Sequence, residues 1–332
     1  MSQKETVLIL GLNSFSGSVT ALKLLDAGYK VIGLNRSPEV SHTYRAYAAS
    51  SNQESLVTYE LESNYNAEVI VDLCKNYSIA TVINFASQSM VAQSWDTPWD
   101  WYETNCVWLS RLSSALIDWG ELNKFIHFST PEIYGSTTGW ILEGGRMNPT
   151  TPYAISRAAG DLHLLAEHRR KKFPVIITRA ANVYGPYQQR YRIIPKALIS
   201  AATKVGINLH GGGTSERSFI FMQDVANALV NIIENGKSGD TYHISTNRLV
   251  SIRQVVEMCY EIYDLNPNDF LNVSKERPGK DQAYQLDSSK LRMELSWKDM
   301  VSLEDGIKRT KDWVDDSLKD LLAQPGEYLH KA

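Results

Sequence analysis

Cysteine is scarce in this chain of 332 residues. There are three, Cys74, Cys106 and Cys259, widely spaced and odd in number, which predicts neither a disulfide framework nor a zinc site. No apolar run approaches the roughly 20 residues that cross a bilayer, so no membrane partner is expected. The opening MSQKETVLILG has an apolar stretch too short for a secretory signal and no cleavage pattern, and the cytoplasm is the expected location. Charge of one sign is also lacking. The 34 Lys and Arg against 37 Asp and Glu leave a net charge of −3, which gives no electrostatic reason to expect nucleic acid. Internal repeats, low-complexity tracts and long linkers are absent as well.

What is present is an alternation of short apolar runs with longer helical patterns. VLILG (7–11), KVIGL (30–34), LVTYEL (56–61), TVINFAS (81–87), KFIHFS (124–129) and PVIITRA (174–180) read as strands. Helical spacing fills 16–27, 67–76, 99–119 and 153–171 between them. Strands separated by helices of this length predict βαβ units, hence an α/β protein with a Rossmann-type, doubly wound parallel sheet. After residue 180 the pattern loosens. Helices near 192–204, 222–235, 251–263 and 302–320 interleave with short strands at 207–210, 218–221 and 241–245. We expect residues 1–180 to form a dinucleotide-binding domain. Residues 181–325 are expected to form mainly a smaller α/β substrate-binding lobe over the sheet's carboxyl edge, with some segments returning to the sheet.

GLNSFSG follows the first strand and opens the first helix. Gly11 and Gly17 match the outer glycines of a dinucleotide fingerprint, one for a tight turn and one for close helix–strand packing. Ser14 stands in the middle glycine's place. At the end of the second strand, where NAD sites usually carry a carboxylate, stand Asn35, Arg36 and Ser37. An arginine with neighbouring donors suits a 2′-phosphate, so NADP is favoured and NAD is the alternative.

Tyr153 and Arg157 lie four residues apart and share one helix face. A fixed cation favours a phenolate, which makes Tyr153 a candidate base for removing a hydroxyl proton. The HFSTPEIYG segment adds Thr130 and Glu132 around Pro131.

Taken together, these segments resemble the extended short-chain dehydrogenase/reductases, and within them the nucleotide-sugar 4,6-dehydratases. NFASQSMVAQSWDTP, YETN, RAANVYGPYQQ, ERSFIFMQDVANAL and ERPGKDQAYQLDSSKLRMELSW extend the resemblance over roughly residues 5–315. ERPGKDQAYQLD and NVYGPYQ look like dTDP-glucose 4,6-dehydratases, whereas LNRS looks more like the NADP-using GDP-mannose 4,6-dehydratases. The resemblance implies that Tyr153 is the redox base at the sugar 4-OH, that Thr130 hydrogen-bonds that hydroxyl, and that Glu132 takes the C5 proton. It implies a cofactor site made of Gly11, Asn13, Ser14, Phe15, Ser16, Gly17, Asn35, Arg36 and Ser37. Glu60, Leu61, Phe85, Ala86, Ser87, Gln88, Ser129, Tyr153, Arg157, Ala180 and Val183 complete it. For the nucleotide-diphosphate sugar it implies Ser89, Thr130, Glu132, Tyr153, Asn182, Ile193, Arg217 and Arg277. A homodimer packed through the helices near 99–119 and 153–171 is expected on the same ground.

The chain departs from that pattern at five places, the mildest being Glu60-Leu61 for the usual Asp-Leu near the adenine. Arg157 replaces the family lysine and keeps the charge without the compact ammonium. Trp108 stands where glycine is common, and Lys280 where histidine is frequent. Pro131 occupies the place of the aspartate that donates a proton to the departing hydroxyl in the dTDP-glucose enzymes. Glu132 would then serve both as the C5 base and as the acid for the leaving hydroxyl. The alternative readings are a nucleotide-sugar 4-epimerase or uronate decarboxylase, and a non-catalytic dinucleotide-binding protein.

Overall fold

The computed structural model describes residues 4–61, 66–275 and 283–330; Arg277 and Lys280 lie outside the described residues. Seven parallel strands form the central sheet: β1 (Thr6–Leu10), β2 (Lys30–Asn35), β3 (Leu56–Glu60), β4 (Thr81–Asn84), β5 (Lys124–Ser129), β6 (Val175–Ala180) and β7 (Thr241–Ile244). Their order is β7-β6-β5-β4-β1-β2-β3. All six residues of β6 are buried, as expected for a strand covered on both faces, whereas edge strand β3 has no buried residue.

Helices α1 (Phe15–Asp26), α2 (Ala67–Asn76), α3 (Leu109–Trp119) and α4 (Pro152–Lys171) supply the crossovers. One face of the sheet packs Ala21, Leu24 and Leu25 of α1; the other packs Ile70 of α2, Leu112 of α3 and Leu164 of α4. The segment leading into α3 is a short helix, Pro98–Tyr102, followed by a π-helical stretch, Glu103–Trp108. There α4 approaches so closely that a Cβ on Gly160 would lie 2.6 Å from the Asn105 carbonyl oxygen.

The region after residue 180 divides between two cores, and the sequence does not say where. Helices α5 (Ile193–Ala202), α7 (Ile252–Glu261) and α8 (Leu303–Ala323) build a second core around Leu198, Val255, Val256, Tyr260, Val314 and Leu321. Helix α6 (Met222–Asn235) instead lays Val225, Leu229 and Ile232 into the α1 face of the first core, and β7 pairs with β6 as the seventh strand. Leu291, in the helix Ser289–Leu295, and Trp297 just after it join the same core. Local periodicity identifies an apolar face but not the partner that covers it. The chain reverses direction across the sheet between β1 and β4, and ligands of open α/β sheets bind in the crevice outside such a switch point.

Candidate active site

The loop after β1 is held by its own side chains. Ser14 caps α1: its Oγ accepts from Gly17 N at 3.0 Å and donates to Gly11 O at 2.7 Å. The serine in the middle glycine's place is therefore a helix cap whose side-chain hydrogen bonds glycine could not make. Gly11 has φ 84°, and a Cβ there would sit 3.1 Å from the Ala86 nitrogen at the end of β4. Asn35 turns its Oδ1 back to accept from Asn13 N at 2.6 Å, while Asn13 Nδ2 donates to the carbonyls of Ser37 and Pro38. The first turn of α1, which begins with Phe15, Ser16 and Gly17, carries no acidic residue. Asn13 Oδ1 and the Arg157 Nε are buried without a hydrogen-bond partner. The acid-free N-terminus of α1 offers the backbone N–H groups and the positive field that a dinucleotide diphosphate requires, and the Arg157 Nε–H on α4 is a further unspent donor, so these residues fit such a cofactor. Glu60 is exposed and pairs in register with Asn35, whose carbonyl accepts from Leu61 N at 2.8 Å.

Beyond β4, Phe85 and Ala86 are buried, Ser87 is half-buried, Gln88 is 3% exposed and Ser89 is exposed. Asn105 fixes this stretch. Its Oδ1 accepts from Gln88 N at 3.0 Å, and its Nδ2 donates to Gln88 O at 3.1 Å and to Ser156 Oγ at 2.9 Å. That clamp ties the β4 edge to α4, the helix that carries Tyr153. Ala180 at the end of β6 is buried, and Val183 is half-buried three residues on.

Beyond β5, Thr130 is extended and caps a single 3-10 turn, Pro131–Tyr134, with its Oγ1 accepting from Glu132 N at 3.3 Å. Pro131 takes the first position of that turn, where a missing N–H has no partner to lose. Tyr153 is the second residue of α4, just after Pro152 and the capping Thr151, whose hydroxyl accepts from Ala154 N at 3.1 Å. Burial pushes the Tyr153 phenol above its ordinary range. Arg157 pulls it down, Glu132 pushes it up, and a hydrogen bond from Thr130 and the Arg192 charge pull it down. Thr130, Glu132, Tyr153 and Arg157 are therefore brought together. The sequence predicts a phenolate favoured by Arg157. The cation does act in that direction, but desolvation outweighs it and the net shift is upward. The Arg157 guanidinium is 3% exposed and also donates to the Phe128 carbonyl of β5.

Behind this cluster lies a buried polar network. Ser129 Oγ donates to Asp161 Oδ2 at 2.9 Å, and Arg179 holds the same carboxylate through Nε at 3.1 Å and Nη2 at 2.9 Å. Arg179 also donates to the Tyr134 hydroxyl, which lies 2.8 Å from His243 Nε2. Burial, reinforced by Arg179, pushes His243 down to about 3, so this ring is neutral. Strands β5, β6 and β7, helix α4 and the Glu132 turn are thereby joined through charge-assisted hydrogen bonds.

On the lobe side, Asn182 accepts from the Tyr284 hydroxyl at 2.6 Å, and the Arg217 guanidinium lies 4.5 Å over the Tyr284 ring. Asn182 and Arg217 meet because the strand Asn182–Tyr184 pairs with Phe219–Phe221. Ile193 opens α5 just after Arg192, whose Nη2 donates to Ser89 Oγ at 3.4 Å. The sequence reading misses Asn105, Asp161, Arg179, Arg192 and Tyr284. Asn105, Asp161, Arg179 and Tyr284 lie in or beside the family-like motifs; Arg192 has no signal of its own. Among the described residues no group of His, Cys, Asp and Glu is arranged to hold a metal ion.

The sequence matches the family described as GDP-mannose 4,6 dehydratase over residues 8–310. It is 29% identical over 339 aligned residues to a dTDP-glucose 4,6-dehydratase of Xanthomonas campestris pv. campestris, covering 93% of this chain and 92% of that protein. A trifunctional UDP-glucose 4,6-dehydratase/UDP-4-keto-6-deoxy-D-glucose 3,5-epimerase/UDP-4-keto-L-rhamnose-reductase of Arabidopsis thaliana is 32% identical over 239 residues. That match covers 71% of this chain and 36% of the plant protein, so the chain spans about a third of that relative's length. Among solved structures, DesIV, a dTDP-glucose 4,6-dehydratase from Streptomyces venezuelae with NAD and TYD bound, superimposes with a TM-score of 0.85. It is 26% identical, and the match covers 95% of this chain and 98% of that one. The chain belongs to the GDP-mannose 4,6 dehydratase family, the nucleotide-sugar 4,6-dehydratase type of extended short-chain dehydrogenase/reductase.

Proposed function

We propose that this protein converts a nucleotide-diphosphate hexose to its 4-keto-6-deoxy product. The observation that carries the reading is the meeting of Thr130 and Glu132 with Tyr153 at the carboxyl edge of the sheet. Thr130 orients the sugar 4-OH, and Tyr153 takes its proton as C4 is oxidised. A nicotinamide dinucleotide in the cleft supplies the hydride acceptor at C4 and the hydride returned to C6. With C4 a ketone, the C5–H is acidified and Glu132 removes it. Pro131 offers no proton, so Glu132 delivers its own to the 6-hydroxyl, which leaves as water; when the hydride returns to C6, C5 regains a proton from solvent, and the proton held by Tyr153 is released to solvent in exchange. Asn182 and Arg217 bind the diphosphate and nucleoside, where a guanidinium fork matches phosphate oxygens. Incubating the protein with a panel of nucleotide sugars tests this: a product lighter by one water supports it, and no such product from any of them overturns it.

The solved dTDP-glucose 4,6-dehydratases from Streptomyces venezuelae and Bacillus anthracis hold NAD. For this chain NADP is favoured by Arg36 and by Asn35, whose Oδ1 is engaged within the loop rather than presented as an acid to a ribose. A homodimer is supported by Trp99, Val107, Ile155 and Leu162, all at least 37% exposed on the helical pair around α3 and α4. One observation favours a second reading. Arg192 acts on the Tyr153 phenol and reaches Ser89, which is a cation placed where a uronate carboxylate would need one. A product lighter by carbon dioxide, or an isomer of unchanged mass, selects that decarboxylase or epimerase reading.

A further inference from the structure

The segment after α8 leaves the lobe and reaches Gln88 and Asp100 on the sheet side. Its first turn is held by Arg190, whose Nη1 donates to the carbonyls of Leu321, Leu322 and Gln324 at 2.7, 3.0 and 2.8 Å. The last carbonyls of a helix have no partner within it, so this arginine caps α8 and fixes where the chain leaves. Arg190 belongs to the loop that also carries Tyr187, Tyr191 and Arg192. Tyr187 takes φ 72°, rare for a residue with a side chain, and its ring packs on Trp313 of α8 at 6.0 Å. Loop and segment are thus one unit on the lobe side.

That unit is fastened to the opposite side at three points. The Tyr328 hydroxyl donates to Gln88 Oε1 at 3.4 Å. His330 Nε2 lies 2.8 Å from Asp100 Oδ2, and its ring stacks on Trp101 at 4.8 Å and 15°. Tyr328 also meets the Tyr191 ring edge-on at 5.7 Å. Tyr328 is half-buried, and the charges of both Arg36 and Arg192 reach its phenol. Arg36 marks the ribose end of the expected dinucleotide path, and Arg192 the end where Tyr153 reacts. Tyr328 is therefore within reach of both charges while bonded to Gln88, a residue of the expected cofactor path.

We propose that residues 324–330 are a strap across the dinucleotide cleft and that Tyr328 is a cofactor-holding residue, a wall of the binding site rather than a surface side chain. The inference rests on the dinucleotide reading of the cleft and gives that reading a physical requirement. A reaction that returns its hydride within one turnover gains nothing from releasing the cofactor, and a strap joining both lobes slows that release.

The test uses the full chain carrying Tyr328→Ala with His330→Ala, loaded with NADPH or NADH. Release is followed by loss of nicotinamide fluorescence on displacement with excess oxidised dinucleotide. The double variant should release the cofactor about tenfold faster, the change expected when a single favourable interaction is removed from the bound state. The melting temperature of the dinucleotide-free protein should not move, which separates cofactor holding from a general packing role. Tyr328→Phe, which keeps the ring against Tyr191 and removes only the hydroxyl, should fall between the two. Unchanged release in the double variant overturns the strap. Slower release or tighter binding also overturns it, by making the segment an occluder. Failure of the unaltered protein to bind either dinucleotide is a separate result, because it removes the reading on which the strap depends.

Discussion

Along the sheet side of the cleft, neighbours in sequence hold one another: Ser14 bridges Gly11 and Gly17, Thr130 caps the turn of Glu132, and Tyr153 and Arg157 share a helix face. The lobe side is assembled from residues far apart in the chain. Asn182 and Arg217 meet Tyr284, Arg192 reaches back to Ser89, and Tyr328 reaches Gln88 across 240 positions. The first side is built for fixed geometry with little freedom to shift. The second closes through long polar side chains, one or two contacts each. Chemistry is therefore expected to reside on the sheet side, and substrate choice and retention on the lobe side.

Four variants would break or sharpen that contrast. Replacing Tyr153 with Phe should lower turnover by about 10²- to 10⁴-fold, the usual worth of a positioned acid–base group, while dinucleotide binding persists. A variant that kept its rate would move the chemistry off this wall. Glu132→Gln should slow water loss by about a hundredfold or more but leave C4 oxidation intact. The signature is reduced-nicotinamide absorbance that accumulates on mixing with substrate while the sugar retains its 6-hydroxyl. Normal dehydration by this variant would refute the double duty assigned to Glu132.

The third variant probes what makes the sheet side rigid. Arg179→Met leaves the buried Asp161 carboxylate without its partner and should cost about 3–5 kcal/mol of stability, read by chemical or thermal unfolding. A loss under about 1 kcal/mol, the usual worth of a surface ion pair, would mean that the network does not stiffen the floor. The fourth concerns pH. Burial already holds the Tyr153 phenol high, and the Arg157 charge lowers it. Without that charge the phenol rises further and its base form is reached only at higher pH. Arg157→Leu should therefore shift the alkaline rise of kcat upward, and Arg157→Lys should bring most of it back. An unmoved limb would show that Arg157 serves only its bond to the Phe128 carbonyl.

The same contrast explains what can be read in the sequence. Motifs whose parts are mutual neighbours are visible as strings, so the loop 11–17, the pair Thr130 and Glu132, and the pair Tyr153 and Arg157 stand out in the residue order alone. Asp161 lies in the Tyr153 helix, but its importance comes from Arg179, which arrives on another strand. Arg192 and Tyr328 have no signal at all, since a single tyrosine or arginine at no fixed spacing looks like any surface residue. Ser14 is legible as a departure from the glycine pattern but not as the cap it proves to be. The net direction at Tyr153 is misread because a sequence displays charge and conceals burial.

The return of β7 and α6 to the sheet has a consequence for synthesis. When residues 1–180 have left the ribosome, β6 still lacks its outer neighbour, and the apolar face of α1 still lacks Val225, Leu229 and Ile232. A nascent chain of that length presents an open strand edge and a bare hydrophobic surface, both invitations to aggregate. The first core is completed only when Leu291 and Trp297 have been added after residue 244, and the boundary at 180 that looks natural on paper would make a poor place to cut.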